Sequence, residues 1–92
     1  MMKRVVRSAS YSADLDDIER SIARNDPHAA ARFIDWLDEQ VARLADPAYP
    51  RRIGRVRGTF ELILNKRYLV VFLDSATTVT VLNVIHTRRR YP

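Results

Sequence analysis

The chain has 92 residues, enough for one domain with a single modest core. A hydrophobic share of 47% and a charged share of 29% exclude a disordered chain, and the lack of cysteine excludes disulfides and thiolate metal sites. The net charge of +5 is unevenly spread: residues 1–11 carry three basic groups and no acid, residues 12–46 nine acids against four arginines, and residues 47–92 nine basic groups against Glu61 and Asp74.

That asymmetry turns a basic C-terminal half toward a polyanion or an acidic partner. The start, Met1 to Arg7, holds no apolar run long enough for a signal peptide, and no window approaches the ~20 apolar residues of a membrane span. A soluble, cytoplasmic, single domain over residues 1–92 is the expectation.

In chain order, Lys3 to Ser8 is a short strand. A helix follows from a cap at Ser10 or Ser12 to Arg24, with Asp14, Asp16 and Asp17 in its first turns and Tyr11, Leu15, Ile18 and Ile22 on one face. Asn25-Asp26-Pro27 ends it and starts a second helix. Asp26 suits the cap and Pro27 the first helical position, and Ala30, Phe33, Leu37, Val41 and Leu44 form its apolar stripe. Trp36 lies beside that stripe, while Arg32, Asp35, Asp38, Glu39 and Arg43 read as its solvated face. So short a link makes the pair an antiparallel hairpin.

Residues 47–54, with two prolines and a glycine, read as a loop. Three strands follow: Arg55 to Leu64, Tyr68 to Leu73, and Thr77 or Thr78 to His86. The turns Asn65-Lys66-Arg67 and Asp74 to Thr77 are short enough to force an antiparallel meander. The fold class is therefore α+β, a helical hairpin layered on a sheet. The last strand, Val79 to His86, is the most apolar and belongs in the sheet's centre.

His86 is the sharpest chemical candidate, an imidazole at a strand end that can act as general acid or base. On sequence alone, a hydrogen-bonded structural role weighs more for a lone histidine. Arg88, Arg89 and Arg90 offer multidentate donors for phosphate, and Tyr91 could stack on a base or donate a proton. Arg51, Arg52, Arg55, Arg57, Lys66 and Arg67 add cations; alternation places Arg55, Arg57 and Thr59 on one strand face, where they could border His86. No spacing resembles a metal site, a phosphate-binding glycine loop or a nucleophile elbow, so no metal or cofactor is expected.

The order of Ala13 to Ile18, Pro27 to Leu44, Arg57-Gly58-Thr59-Phe60-Glu61-Leu62, Tyr68 to Phe72 and Val81 to His86 resembles the RelE/ParE toxins of type II toxin–antitoxin modules. The resemblance implies a cognate antitoxin that wraps the chain. RelE-like members cut messenger RNA on the ribosome without metal; ParE-like members poison DNA gyrase. By resemblance, His86 matches a strand-end histidine found on both sides, Arg88 a catalytic arginine of the nucleases, and Tyr91 their C-terminal tyrosine. Nuclease members usually carry an arginine within the strand that here reads Tyr68-Leu69-Val70-Val71-Phe72, and their long lysine-rich loop is reduced to Arg51-Arg52. The balance tips slightly toward the gyrase poison, with the endoribonuclease as the alternative and an inactive antitoxin-binding remnant as a third reading.

Overall fold

A computed structural model describes residues 1–88. The chain runs β1 (Arg4–Arg7), α1 (Ala9–Ala23), α2 (Pro27–Ala42) extended by a single 3₁₀ turn (Arg43–Ala45), β2 (Arg52–Ile53), β3 (Phe60–Ile63), β4 (Tyr68–Asp74) and β5 (Thr78–His86). The five strands form one sheet in the order β1-β5-β4-β3-β2. The expected α+β class and the antiparallel β3–β4–β5 meander are present. Two features go beyond a meander. Strand β1 lies parallel to β5, so the helical hairpin is a crossover within a mixed sheet, and a two-residue strand β2 forms inside the segment read as loop.

Helix α2 starts as its sequence dictates, with Asp26 accepting from the Ala29 amide and Pro27 at the first position. Helix α1 starts earlier than expected. Its cap is Ser8, not Ser10 or Ser12: the Ser8 hydroxyl accepts from the Tyr11 amide and donates to the Leu82 carbonyl at 2.8 Å. The tertiary partner decides between three locally equivalent serines. Asp14, Asp16 and Asp17 consequently fall beyond the first turn.

The core joins Tyr11 to Leu37, Val41 and Leu44 of the helical layer and to Leu62, Val70, Phe72, Val79, Val81 and Val84 of the sheet. Strand β5 is central, between β1 and β4. Its alternation breaks once, because Asn83 opposes Val71 while Val81 opposes Phe72, leaving Leu82 as an extra residue. This bulge lets Val81 and Val84 both enter the core. It also leaves backbone groups that helix α1 satisfies: Asp14 Oδ2 accepts from the Val84 amide at 2.9 Å and from Asn83 Nδ2 at 3.1 Å. Val84 and His86 share a face as expected, but Leu82 does not follow their alternation.

The strand expected from Arg55 is shorter than the sequence suggested, starting only at Phe60. Residues 55–59 turn instead, with the Thr59 amide and hydroxyl both donating to the Val56 carbonyl and the Gly54 amide donating to the Thr59 carbonyl. Gly58 sits at φ +85°, which a side-chain-bearing residue adopts only under strain, and a Cβ at Gly54 would run into the Thr59 hydroxyl. Arg55, Arg57 and Thr59 therefore do not share a strand face.

Two charged networks close the structure. Asp38, read as solvated, accepts from Arg7 Nε at 2.8 Å and from the buried Tyr11 hydroxyl at 2.9 Å, so it joins β1, α1 and α2. Burial first, then Asp38, pushes the Tyr11 phenol well above its ordinary range. At the opposite end Asp74 takes Lys3 Nζ and Arg51 Nε, each at 2.7 Å. The same Arg51 guanidinium donates to the carbonyls of Leu44, Asp46 and Tyr49, holding the 3₁₀ turn and the following loop against β4.

Desolvation alone would raise the Asp74 carboxyl, but the hydrogen bonds from Lys3 and Arg51 outweigh it and hold it below the ordinary range. A depressed carboxylate contributes stability that is present above the unfolded value of about 3.9 and is lost as pH falls through the folded value. Asp74→Asn should cost about 2–4 kcal/mol near pH 7, since it strands two cations in a mostly buried site. Urea midpoints should show the gap between wild type and variant closing below about pH 4, the region where the carboxylate titrates.

Asp14→Ala removes the acceptor of two β5 donors and should cost about 1–3 kcal/mol. Hydrogen exchange would check it, with faster exchange at the Val84 amide and no matching change in β3.

Candidate functional site

Strand β5 delivers His86 opposite Tyr68, the first residue of β4. Their rings meet edge to face at 5.1 Å, Tyr68 packs on Phe33 at 5.4 Å, and Phe33 on Trp36 at 5.7 Å. His86 thus ends an aromatic row that runs from helix α2 to the sheet. Its Nδ1 accepts from the Arg88 amide at 3.1 Å, so the neutral ring carries its proton on Nε2.

The ring lines a cleft of about 120 Å³ with Asp14, Asp17, Ile18, Ser21, Tyr68 and Val84. Two carboxylates on α1 therefore line the histidine's cleft, Asp14 bound to β5 through Oδ2 and Asp17 paired with Arg20 at 2.6 Å. A proton can be exchanged there, but a phosphate drawn in would meet like charge.

The cations assigned to binding separate into three groups. Arg51 is spent inside the fold, mostly buried on Asp74 and three carbonyls, and stacks its guanidinium 6.0 Å from the centre of the Phe72 ring. Arg51, expected among the target-binding cations, is held by these internal partners. Arg52, Arg55 and Arg57 lie around β2 and the turn that precedes β3. Lys66 and Arg67 are exposed at the other end of β3. There their carbonyls accept from the Thr87 hydroxyl and amide, each at 2.7 Å, which brings Arg88 beside them. Among the described residues, His86 is accompanied by this last group of the expected binding cations. Arg89, Arg90 and Tyr91 lie outside the described residues.

One residue escaped the sequence reading. Glu61 sits within β3 and is only 1% exposed. Its Oε2 accepts from the Arg55 amide at 3.0 Å, while Oε1 has no hydrogen bond and lies 3.9 Å from Arg52 Nε. It lines a second cavity of about 370 Å³ with Tyr49, Pro50, Arg51, Arg52, Leu62 and Ile63. The sequence did carry a signal, one of only two acids in a basic half, flanked by Phe60 and Leu62. Among the described residues no group of three or more His, Asp or Glu side chains is arranged to hold a metal ion.

Comparison with known proteins accounts for the layout. A family model described as the ParE toxin of the type II toxin–antitoxin system parDE matches residues 5–91. A curated relative, the candidate toxin Y4kP of Sinorhizobium fredii, is 32% identical over 78 residues, covering 85% of this chain and 81% of that protein. Among solved structures, the chromosomal ParDE system of P. aeruginosa superposes with a TM-score of 0.82 at 20% identity, over 92% of this chain and 96% of that one. The toxin–antitoxin complex DinJ–YafQ of E. coli follows at a TM-score of 0.70 and 10% identity over the whole of both chains. The chain belongs to the ParE toxin family of type II toxin–antitoxin systems.

Proposed function

We propose that this toxin arrests growth by poisoning DNA gyrase and that a cognate antitoxin neutralises it. The observation that carries the reading is the acidic lining of the histidine cleft. An RNA-cleaving centre needs cations converging on the scissile phosphate, and here Asp14 and Asp17 occupy the side of His86 that faces helix α1. Arg51 is committed to Asp74, and Arg52, Arg55 and Arg57 lie toward the other end of β3. Family membership supports the same side, because the matched model is that of ParE and spans nearly the whole chain.

In this reading the toxin works by surface contact, without chemistry of its own. Arg52, Arg57, Lys66, Arg67 and Arg88 are exposed and supply the positive face that meets the gyrase–DNA complex. Neighbouring folds solved as ParDE and DinJ–YafQ complexes support an antitoxin partner.

A second reading, the ribosome-dependent endoribonuclease, draws on one specific observation: the Lys66 and Arg67 carbonyls hold Thr87, and the Arg88 amide donates to His86, so these basic residues are neighbours of the histidine through the backbone. There Arg88 would steady the phosphate, with His86 and Tyr91 as acid–base groups.

Induction of the chain without antitoxin separates the two. Gyrase poisoning gives trapped gyrase–DNA cleavage complexes and an SOS response with intact transcripts; new 5′ ends inside translated codons would instead establish the nuclease. His86→Ala should leave growth arrest within a few-fold of wild type under the gyrase reading, whereas a general acid–base role predicts a loss of about 10²-fold or more.

A further inference from the structure

Glu61 is in an unusual electrostatic position for so small a domain. Among the described residues its Oε1 is the one buried side-chain polar atom without a hydrogen bond. An ionised carboxylate deprived of water is stabilised by an opposite charge with good hydrogen-bond geometry. Arg52 does not supply it: the Nε lies 3.9 Å away, beyond hydrogen-bond reach, on a side chain that is 61% exposed. The cavity beside Glu61 is mixed in character, with the carboxylate and the two arginines set among Tyr49, Pro50, Leu62 and Ile63.

The backbone there is also incomplete. Strand β2 pairs only Arg52 with Glu61 and Ile53 with Phe60, so among the described residues the outer edge of β3 has no strand partner from Leu62 onward. Ile53 and Ile63 stand exposed along the same border. An exposed edge next to an apolar rim accommodates an extended chain, whose alternate side chains then point into neighbouring cavities.

We infer that the Glu61 cavity receives one lysine or arginine side chain from an extended segment of the antitoxin laid along the edge of β3 at Leu62 and Ile63, beyond the end of β2; this rests on the partner reading given above. The cationic head donates to Glu61 Oε1, and its methylene stem packs against Tyr49, Pro50 and Ile63. Arg52 swings outward, which its exposure permits. A free amine or polyamine carries the same headgroup but cannot use the strand edge, so the protein segment is the occupant the site fits.

The test measures the affinity of the full-length toxin for its cognate antitoxin. Glu61→Gln preserves shape and removes the charge. It should weaken binding roughly 30-fold or more, with the melting temperature of the free toxin unchanged or raised. Each basic residue of the antitoxin's toxin-binding segment is then replaced by methionine. One of these should weaken binding to wild type and have almost no effect on binding to Glu61→Gln.

Binding of Glu61→Gln within about threefold of wild type, or full additivity at every basic position, overturns the inference. Should Glu61→Gln fail to fold, Ile63→Lys supplies an internal cation at the rim. It should weaken antitoxin binding at least roughly tenfold, and undiminished binding overturns the inference as well. An antitoxin that fails to bind the wild-type toxin at all overturns the partner reading and this inference with it, an outcome distinct from the others.

Discussion

The extra residue at Leu82 is the constraint from which most of this architecture follows. A regular β5 would place Val81 and Val84 on opposite faces, and one of them would leave the core. The bulge keeps both buried and redirects three polar groups that the ladder does not hold. The Leu82 carbonyl takes the Ser8 hydroxyl, and the Val84 amide and Asn83 side chain take Asp14. Each partner stands on or at the start of helix α1. The bulge therefore sets where α1 begins, how it lies on the sheet, and which helix face looks toward the strand's end.

That geometry decides the character of the histidine site. Because Asp14 must reach the bulge, the helical turn that carries it, and Asp17 one turn on, are brought against the end of β5 where His86 emerges. The interaction that anchors the helix also places negative charge beside the imidazole. Among the described residues the cations of the C-terminal half cannot all compensate, since Arg51 is bound to Asp74 and the others divide between the two ends of β3. Arg20 pairs with Asp17 at 2.6 Å, but Asp14 keeps its charge beside the cleft, where a diffuse positive field is screened by salt over about 8–10 Å. A basic surface with an acidic pocket is a surface suited to docking on a large partner rather than to gripping one phosphate.

The sequence made some of this legible and hid the rest for identifiable reasons. Asp26-Pro27, the stripe from Ala30 to Leu44, the turn at Asn65 and the apolar run of β5 are local signals, and each reappears in the fold. Ser8 was hidden because three serines satisfy the same capping rule and only Leu82 chooses between them. Asp38 and Arg51 read as solvated or target-facing because their partners stand 31 and 23 residues away. The alternation of Arg55, Arg57 and Thr59 imitated a strand, while Gly58 between them, with its positive φ, marked the turn. Position along the chain indicated where charge accumulates, not which charges the fold would consume.

The two borders of the sheet are managed in opposite ways, and this bears on how a toxin can be both stable alone and capturable. Strand β1 is four residues long, preceded by Lys3 and with Arg4 and Arg7 at its two ends, and two of those three cations are held by Asp74 and Asp38. Short length and fixed charge are what protect an edge from unwanted pairing. The other border has a two-residue strand, exposed isoleucines and a buried carboxylate with one oxygen unsatisfied. One oxygen of Glu61 holds the Arg55 amide, yet a neutral side chain of similar shape could accept there without the desolvation of a charge. Retaining the charge leaves that border less stable by itself and more selective for what pairs with it. An edge guarded by short length and fixed charge disfavours self-association through that side of the sheet, which leaves the border at β2 and β3 as the one where an extended partner fits.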